Sequence, residues 1–322
     1  ICEEYGYDEI NLNCGCPSEK VSGHCFGASL MFDPAKVRDI MAAVRGAVSI
    51  PCTVKHRLGV DDHDTWEELV EFVRAVAEAG VKHFIVHARK AWLKGLSPAQ
   101  NRDVPPLQYE KVYRLREEFP HLVFSINGGV KTLEATQEHL EHVHGVMIGR
   151  AAYRETWMLA QADSTIYGEE DPGLTRRQIL EIYSRYADAE MQAVPKVNPM
   201  SGGPAYSTRQ ASLARALFAP LPGLFTGCKG SKEMKRTYAD LLTAEKKRMD
   251  EEAKEQGELW SPEPLPFSRL MWESARPLWS KMLDAAPGAS LHRVDIAGDE
   301  NNYGDAGAKK EWRGDVGGGV GG

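Results

Sequence analysis

From Glu9 to Tyr153 the chain repeats one pattern five times: a strand-like run, a Gly-rich or polar loop, then apolar residues at helical spacing. The run Glu9-Ile10-Asn11-Leu12-Asn13 alternates apolar and polar residues until Gly15 and Pro17 stop it. A Gly-rich loop through Gly23 and Gly27 leads to Asp33-Pro34, an N-cap with a first-turn proline. Val37, Ile40, Met41 and Val44 follow on one helical face, which Gly46 is expected to close. In the second unit Cys52 to Arg57 reads as a strand, Thr65 and Glu68 form a capping box, and Leu69, Phe72, Val73 and Val76 share a face ending at Gly80. The third runs from His83 to Ala88, through a long loop to Pro106, into a helix carrying Val112, Leu115 and Phe119. The fourth, Val123 to Asn127, meets Gly128-Gly129 and a helix from about Thr132; the fifth, Gly145 to Gly149, meets Arg150 and another helix. Consecutive β-loop-α units imply a parallel sheet, because parallel neighbours need crossovers that the helices supply.

Two architectures use such units, the doubly wound open sheet and the TIM (β/α)8 barrel. Cys16, Lys55 with Arg57, His87 with Arg89, Asn127 and Arg150 all fall at or just past the carboxyl ends of their strands, the layout of a barrel's active face. The last two units end in Gly-Gly and Gly-Arg, as the phosphate-binding loops after strands seven and eight do. The expected fold is therefore α/β: a TIM barrel lacking its first strands, with about strands four to eight present and the others upstream of Ile1. From about Leu174 helical patterns replace strands, which predicts a partial barrel over 1–170 and an all-helical domain over 171–286. A Pro/Gly-rich loop interrupts the helices from Val194 to Pro204, and the Gly- and Asp-rich stretch 287–322 is expected to be disordered. The mixed charges from Glu245 to Glu255 read as a solvated helix.

Composition narrows the function. A net charge of −7, from 39 basic and 46 acidic residues, argues against coating nucleic acid by bulk charge and leaves room for a local basic patch. The six Cys show no CxxC pair and no zinc-ligand spacing, so no metal is expected and a reducing compartment is. No apolar run reaches the ~20 residues of a membrane span, and no signal or transit sequence opens the chain. An intracellular setting follows, either cytoplasmic or organellar. Cys16 is the candidate reagent: it sits between Gly15 and Pro17 at a strand end, where a sheet fixes its base and a loop leaves it accessible. Cys14 and Cys25 are its rivals.

Together the motifs resemble the dihydrouridine synthase family, in particular DusA-type members that act on the D-loop of tRNA. They are Asn11-Leu-Asn-Cys-Gly-Cys-Pro-Ser18, Val54-Lys-His-Arg57, Val86-His-Ala-Arg-Lys-Ala-Trp92, Gly95-Leu-Ser-Pro98, Asn101-Arg102, Pro105-Pro-Leu107, Ser125-Ile-Asn-Gly-Gly129 and Gly145-Val-Met-Ile-Gly-Arg150. Their order and spacing make the set specific over Ile1 to about Tyr153; the helical domain is matched only loosely. The proline-methionine segment and glutamine of the family's first strands are absent from this sequence. The resemblance implies an FMN-dependent reduction of the C5=C6 bond of a tRNA uridine, with NADPH as reductant and a monomeric enzyme. It implies that Cys16 gives a proton to C5, a task suited to a thiol that is mostly protonated at neutral pH. It implies cofactor contacts from Lys55, His87, Asn127, Gly128, Gly129, Gly149 and Arg150.

For RNA, the family places contacts in the regions of Asn13, Arg89, Lys90 and Arg102. Lys232, Lys235 and Arg236 share a helix face and would add phosphate contacts. Arg57 either joins the RNA contacts or pairs with a carboxylate inside the barrel. Trp92 either stacks on RNA or packs within its own loop. Two other readings stay open: a non-catalytic RNA-binding remnant, and a flavin-dependent reductase of a free pyrimidine.

Overall fold

The computed structural model describes residues 1–18, 26–194, 210–256, 264–278 and 280–289. Five strands, β1 (Ile10–Cys14), β2 (Cys52–Arg57), β3 (His83–His87), β4 (Val123–Asn127) and β5 (Gly145–Met147), form one parallel sheet in sequence order. Each crossover therefore steps one strand further in the same direction. A doubly wound sheet would reverse at a switch point, and among the described strands none exists. The architecture is the expected one, a parallel β/α sheet of barrel type followed by a helical region. Register then sets residues side by side across the sheet: Asn13 opposite Lys55, Arg57 opposite His87, and His87 opposite Asn127.

The crossover helices are α1 (Pro34–Ala47), α2 (Trp66–Glu78), α3 (Tyr109–Glu118) and α4 (Leu133–Leu140), and α5 (Arg150–Arg154) follows β5. Asp33 accepts from the Lys36 amide and starts α1, while Thr65 and Glu68 close a reciprocal box at α2. Gly46 does not end α1 as expected. The helix runs through it to Ala47 and stops at the extended Val48, because a glycine without positive φ weakens a helix without breaking it. Phe72, Val54, Phe84, Phe124, Ile126 and Leu115 fill the space between helices and sheet. Inside that core His56 is wholly buried, its Nδ1–H donating to the Arg57 carbonyl at 2.7 Å and its ring 5.1 Å from that of Phe72. Burial pulls its pKa down to about 4, so it is a neutral core residue.

Two compact units divide the chain. One comprises Ile1–Tyr153 with Ala162–Glu169, the other Arg154–Gln161 with the described part of Glu170–Gly322. The second is built from α6 (Arg176–Ala193), α7 (Ala211–Phe218), α8 (Ser231–Gln256), α9 (Phe267–Ala275) and α10 (Ser280–Asp284). Its core is aromatic and Met-rich: Phe218 stacks on Tyr238 with centroids 3.6 Å apart, and Phe225, Met234, Phe267 and Met271 pack with them. Arg176 is buried there. Its guanidinium lies 3.8 Å from the Trp157 ring centre and donates to the carbonyls of Leu224 (2.7 Å) and Met282 (3.4 Å).

The charge run starting at Glu245 is more than a solvated face. Glu245 is buried, accepts from Arg248 at 2.7 Å and from the Leu265 amide at 2.8 Å, and so ties the chain before α9 to α8. The interrupting loop beyond Val194 and the tail from 290 lie outside the described residues. Among the described residues no helix is long and apolar enough to cross a membrane, and no group of His, Cys, Asp or Glu is arranged to hold a metal.

Candidate active site

The two cysteines at the end of β1 have opposite environments. Cys14 is fully buried, and burial pushes its thiol up to about 12, so it is an inert core residue. Cys16, two residues on, is half-buried on the loop. Asn13 shapes that loop: its Oδ1 accepts from the amides of Gly15 (2.9 Å) and Cys16 (3.0 Å), a turn that asparagine favours. The Cys16 carbonyl accepts from Ala28 at 2.8 Å, and the Gly15 carbonyl from Arg57 Nε at 2.9 Å. The thiol's backbone is thus held from three sides. Cys25 lies outside the described residues.

Arg57 follows neither sequence alternative. It is buried, and its Nη1 donates to the carbonyls of Lys90 and Asn101, each at 2.9 Å. Burial, more than its neighbours' charge, lowers its pKa to about 10, which leaves it cationic at neutral pH. Asn101, 0% exposed, organises the long loop after β3: Oδ1 accepts from the Trp92 amide at 2.7 Å, while Nδ2 faces the carbonyls of Trp92, Leu96 and Ser97.

Arg89 and Lys90, expected to contact RNA, are both held by groups of the fold. Arg89 is buried and turns inward, donating to the carbonyls of Asp103 and Pro105. Lys90 pairs with Asp64 at 2.9 Å, donates to the Asp61 carbonyl at 3.1 Å and sits 4.1 Å from the Trp92 ring centre. Both cations are engaged within the fold, and the half-buried Trp92 lies against Lys90 in its own loop. Arg102 is exposed.

Lys55 Nζ crosses to β4 and donates to Asn127 Oδ1 at 2.9 Å, and Asn127 Nδ2 donates to the Met147 carbonyl at 2.7 Å. Burial, then the charge of Arg57, lowers Lys55 to about 8. His87, on the strand between, is lowered to about 3 by burial and by the charges of Arg57, Lys55, Arg89 and Arg150. It is neutral, able to donate from one ring nitrogen and accept at the other. Next to it, Gly128 has φ +116, and a Cβ there would lie 2.7 Å from His87 Cδ2; Gly129 has φ +76 and is pressed by Leu107. Only glycine fits this closely. The Tyr109 hydroxyl donates to the Gly128 carbonyl at 2.7 Å. A Cβ on Gly149 would meet nothing within 4 Å, so its backbone is open to a ligand. Arg150 is exposed and grips both carboxylate oxygens of Asp103, at 2.7 and 3.0 Å.

Among the described residues no carboxylate forms an ion pair with Lys55, Arg57 or Arg89, and Asp103, whose charge reaches Arg89, offsets only part of the positive charge at this edge of the sheet around a neutral His. Such a field favours an anionic ligand. Sequence reasoning missed Arg57 and Asn101 as loop organisers and Asp103 as the partner of Arg150. The pairing of an Asp with Arg102 beside it was the one visible signal for the last. In the second unit Lys232, Lys235 and Arg236 are exposed on α8, three and four residues apart, and none forms an ion pair among the described residues.

A half-buried thiol, a half-buried lysine and a glycine pair gathered at the carboxyl edge of a one-directional parallel sheet define the class, a parallel β/α protein with its polar groups collected at one edge. Comparison with known proteins narrows the class. The family described as Dihydrouridine synthase (Dus) matches residues 1–256, and the chain belongs to it. It is 50% identical over 192 residues to the tRNA-dihydrouridine(20/20a) synthase of Vibrio vulnificus (strain CMCP6), 59% of each chain. The protein of the same name from Pasteurella multocida (strain Pm70) is 43% identical over 240 residues, 74% of this chain and 68% of that one. For that of Synechocystis sp. (strain ATCC 27184 / PCC 6803 / Kazusa) the figures are 47% over 201 residues, 62% and 60%. The chain spans about three fifths of the Vibrio and Synechocystis proteins.

Proposed function

We propose that this protein reduces the C5=C6 bond of a uridine in the tRNA D-loop, at positions 20 and 20a as its relatives' names state, with FMN and NADPH. The observation that carries the reading is the accessible Cys16 on a loop held by Asn13 and Arg57, beside a cationic edge with no carboxylate on Lys55. That edge fits FMN: Lys55 offers a cation to an anionic ring, and Asn127, Gly128, Gly129, Gly149 and Arg150 offer donors and open backbone to a phosphate. Once reduced by NADPH, a flavin held by these residues would supply the hydride for C6.

Cys16 Sγ–H gives its proton to C5, so that the proton and the hydride together saturate the bond. Asn127 holds the Lys55 ammonium in place before any ligand arrives, which removes its ordering cost from binding. Neutral His87 offers a hydrogen bond without adding charge. Arg150 reaches a phosphate by sharing or exchanging its bond to Asp103. The target base leaves its stack to reach Cys16, at a cost of about a few kcal/mol. Asn13 and the exposed Arg102 serve RNA from the site's margin. Lys232, Lys235 and Arg236 meet tRNA phosphates from the helical unit, the tRNA-binding domain of this reading.

The test is direct. The whole protein loaded with FMN, given NADPH and unmodified tRNA, is expected to form dihydrouridine, read by nucleoside mass spectrometry. No product overturns the proposal, and equal turnover of free uracil replaces it with a small-pyrimidine reductase.

A further inference from the structure

The guanidinium of Arg150 is already occupied. Its Nη2 donates to Asp103 Oδ1 at 2.7 Å and its Nη1 to Oδ2 at 3.0 Å, the two-pronged grip that a guanidinium also takes on a phosphate. Nη2 approaches the Arg102 carbonyl as well, at 3.4 Å. The side chains of Arg150 and Asp103 keep 42% and 60% of their surface exposed, so a ligand from solvent can reach the pair. Asp103 therefore fills, with a group of the chain itself, the donors that Arg150 would present to an anion.

Three arginines act on that one carboxylate. The hydrogen bond from Arg150, then the charges of Arg150, Arg89 and Arg102, hold the Asp103 carboxyl below the usual carboxylate range. Arg150 and Arg89 also act on His87, whose ring lies against Gly128, so the ion pair borders the glycine pair. The carboxylate has somewhere else to go. Arg89 donates to the Asp103 and Pro105 carbonyls, yet its buried Nε has no hydrogen-bond partner among the described residues. An unpaired buried donor is costly, and Asp103 is near enough for its charge to act on Arg89. Asp103 thus stands between two guanidinium groups, one engaged and one with a bond to gain.

We propose that Asp103 is a built-in competitor for the phosphate at Arg150: the phosphate takes the guanidinium as the carboxylate leaves it. The inference rests on the proposed FMN site and deepens it by giving that site a regulating residue. A phosphate monoester carries about −1.5 to −2 charges at neutral pH, more than a carboxylate, so it competes well for one guanidinium. Keeping both anions there is opposed by their mutual repulsion. Asp103→Asn is the natural probe, since it keeps the shape and an acceptor oxygen for Arg150 and removes the charge. Asp103→Ser removes the carboxylate with most of the side chain.

The whole protein and both variants are titrated with FMN and with riboflavin, which has the same ring and no phosphate, and binding is read by quenching of flavin fluorescence. Each variant is expected to bind FMN about two- to fivefold tighter than the original, the size of one exposed ion pair, with riboflavin affinity unchanged. The gain should shrink toward nothing at about 1 M salt, where charges are screened within ~3 Å. A residue that merely braced Arg150 would give the opposite sign, weaker FMN binding once it is removed. FMN affinity unchanged or weakened in both variants overturns the competitor role, as does a gain that riboflavin shares equally. If FMN binds without the selective gain, only that role fails; if neither the protein nor its variants bind FMN, the cofactor reading fails and the role with it.

Discussion

Each compact unit buries arginine against backbone carbonyls, and the surroundings of Arg57 in the sheet unit and Arg176 in the helical unit differ. Arg176 lies over Trp157 and donates to the carbonyls of Leu224 and Met282, with aromatic and Met side chains beyond. Arg57 donates to the carbonyls of Gly15, Lys90 and Asn101, with Lys55 and Arg89 near enough to perturb and be perturbed. A guanidinium fastens chain segments in both, since its planar fork reaches several acceptors at once. In the helical unit the surrounding rings soften its charge. In the sheet unit the charge is left to act, and the segments it fastens carry the thiol and the long loop after β3.

The sharpest way to break the comparison is Cys16→Ser. Turnover is expected to fall by about 10²–10⁴-fold while flavin content and tRNA affinity hold, because a hydroxyl is a poorer proton donor than a thiol. Near-normal dihydrouridine formation would remove Cys16 from the chemistry. Next comes Arg57→Met against Arg176→Met. Stranding buried carbonyls should destabilise each unit, by about 3 kcal/mol for Arg57, with its three acceptors, and less for Arg176. Only Arg57→Met should also weaken tRNA binding at the thiol edge, so equal losses of binding in both variants would erase the distinction.

The helical unit's own contribution is read in salt. Changing Lys232, Lys235 and Arg236 together to Gln should flatten the dependence of log affinity on log salt by about two to three, at under one per phosphate, with flavin content unchanged. An unaltered slope would take that face of α8 out of RNA binding.

The smallest effect concerns acid. All histidines among the described residues belong to the sheet unit. His56 has a folded pKa of about 4 against an ordinary 6.5, so between those values the unfolded chain holds the extra proton. Its neutral burial is fully accommodated above pH 6.5, and stability is lost as pH falls from there toward 4. Denaturant titrations at several pH values should show His56→Phe flattening that limb; an unchanged limb would assign it to other groups.

Much of the sheet unit could be read from the chain because its signals are local. Alternation, Asp33-Pro34 and the Thr65/Glu68 box place β1, α1 and α2 within a residue or two. The greater exposure of Cys16 than of Cys14 was also legible, since Gly15 and Pro17 mark where the strand must end. The roles of Arg57, Asn101 and Glu245 were not. Their partners are backbone groups brought close only by folding, and a backbone carbonyl has no letter in a sequence. The partners of Arg89 and Lys90 were hidden for the same reason, because a cation near a site shows nothing in the sequence of the carbonyls and the Asp64 carboxylate that engage it.

The Tyr109 hydroxyl carries one consequence further. A trans peptide points its C=O and the following N–H in opposite directions. By gripping the Gly128 oxygen at 2.7 Å, Tyr109 fixes the tilt of the whole plane and turns the Gly129 N–H away from the phenol. At φ values where glycine rotates freely, that one contact decides which way the amide faces. The loop behaves as a compass needle held by its tail: a ring at the start of α3 sets the direction in which the glycine pair offers its proton.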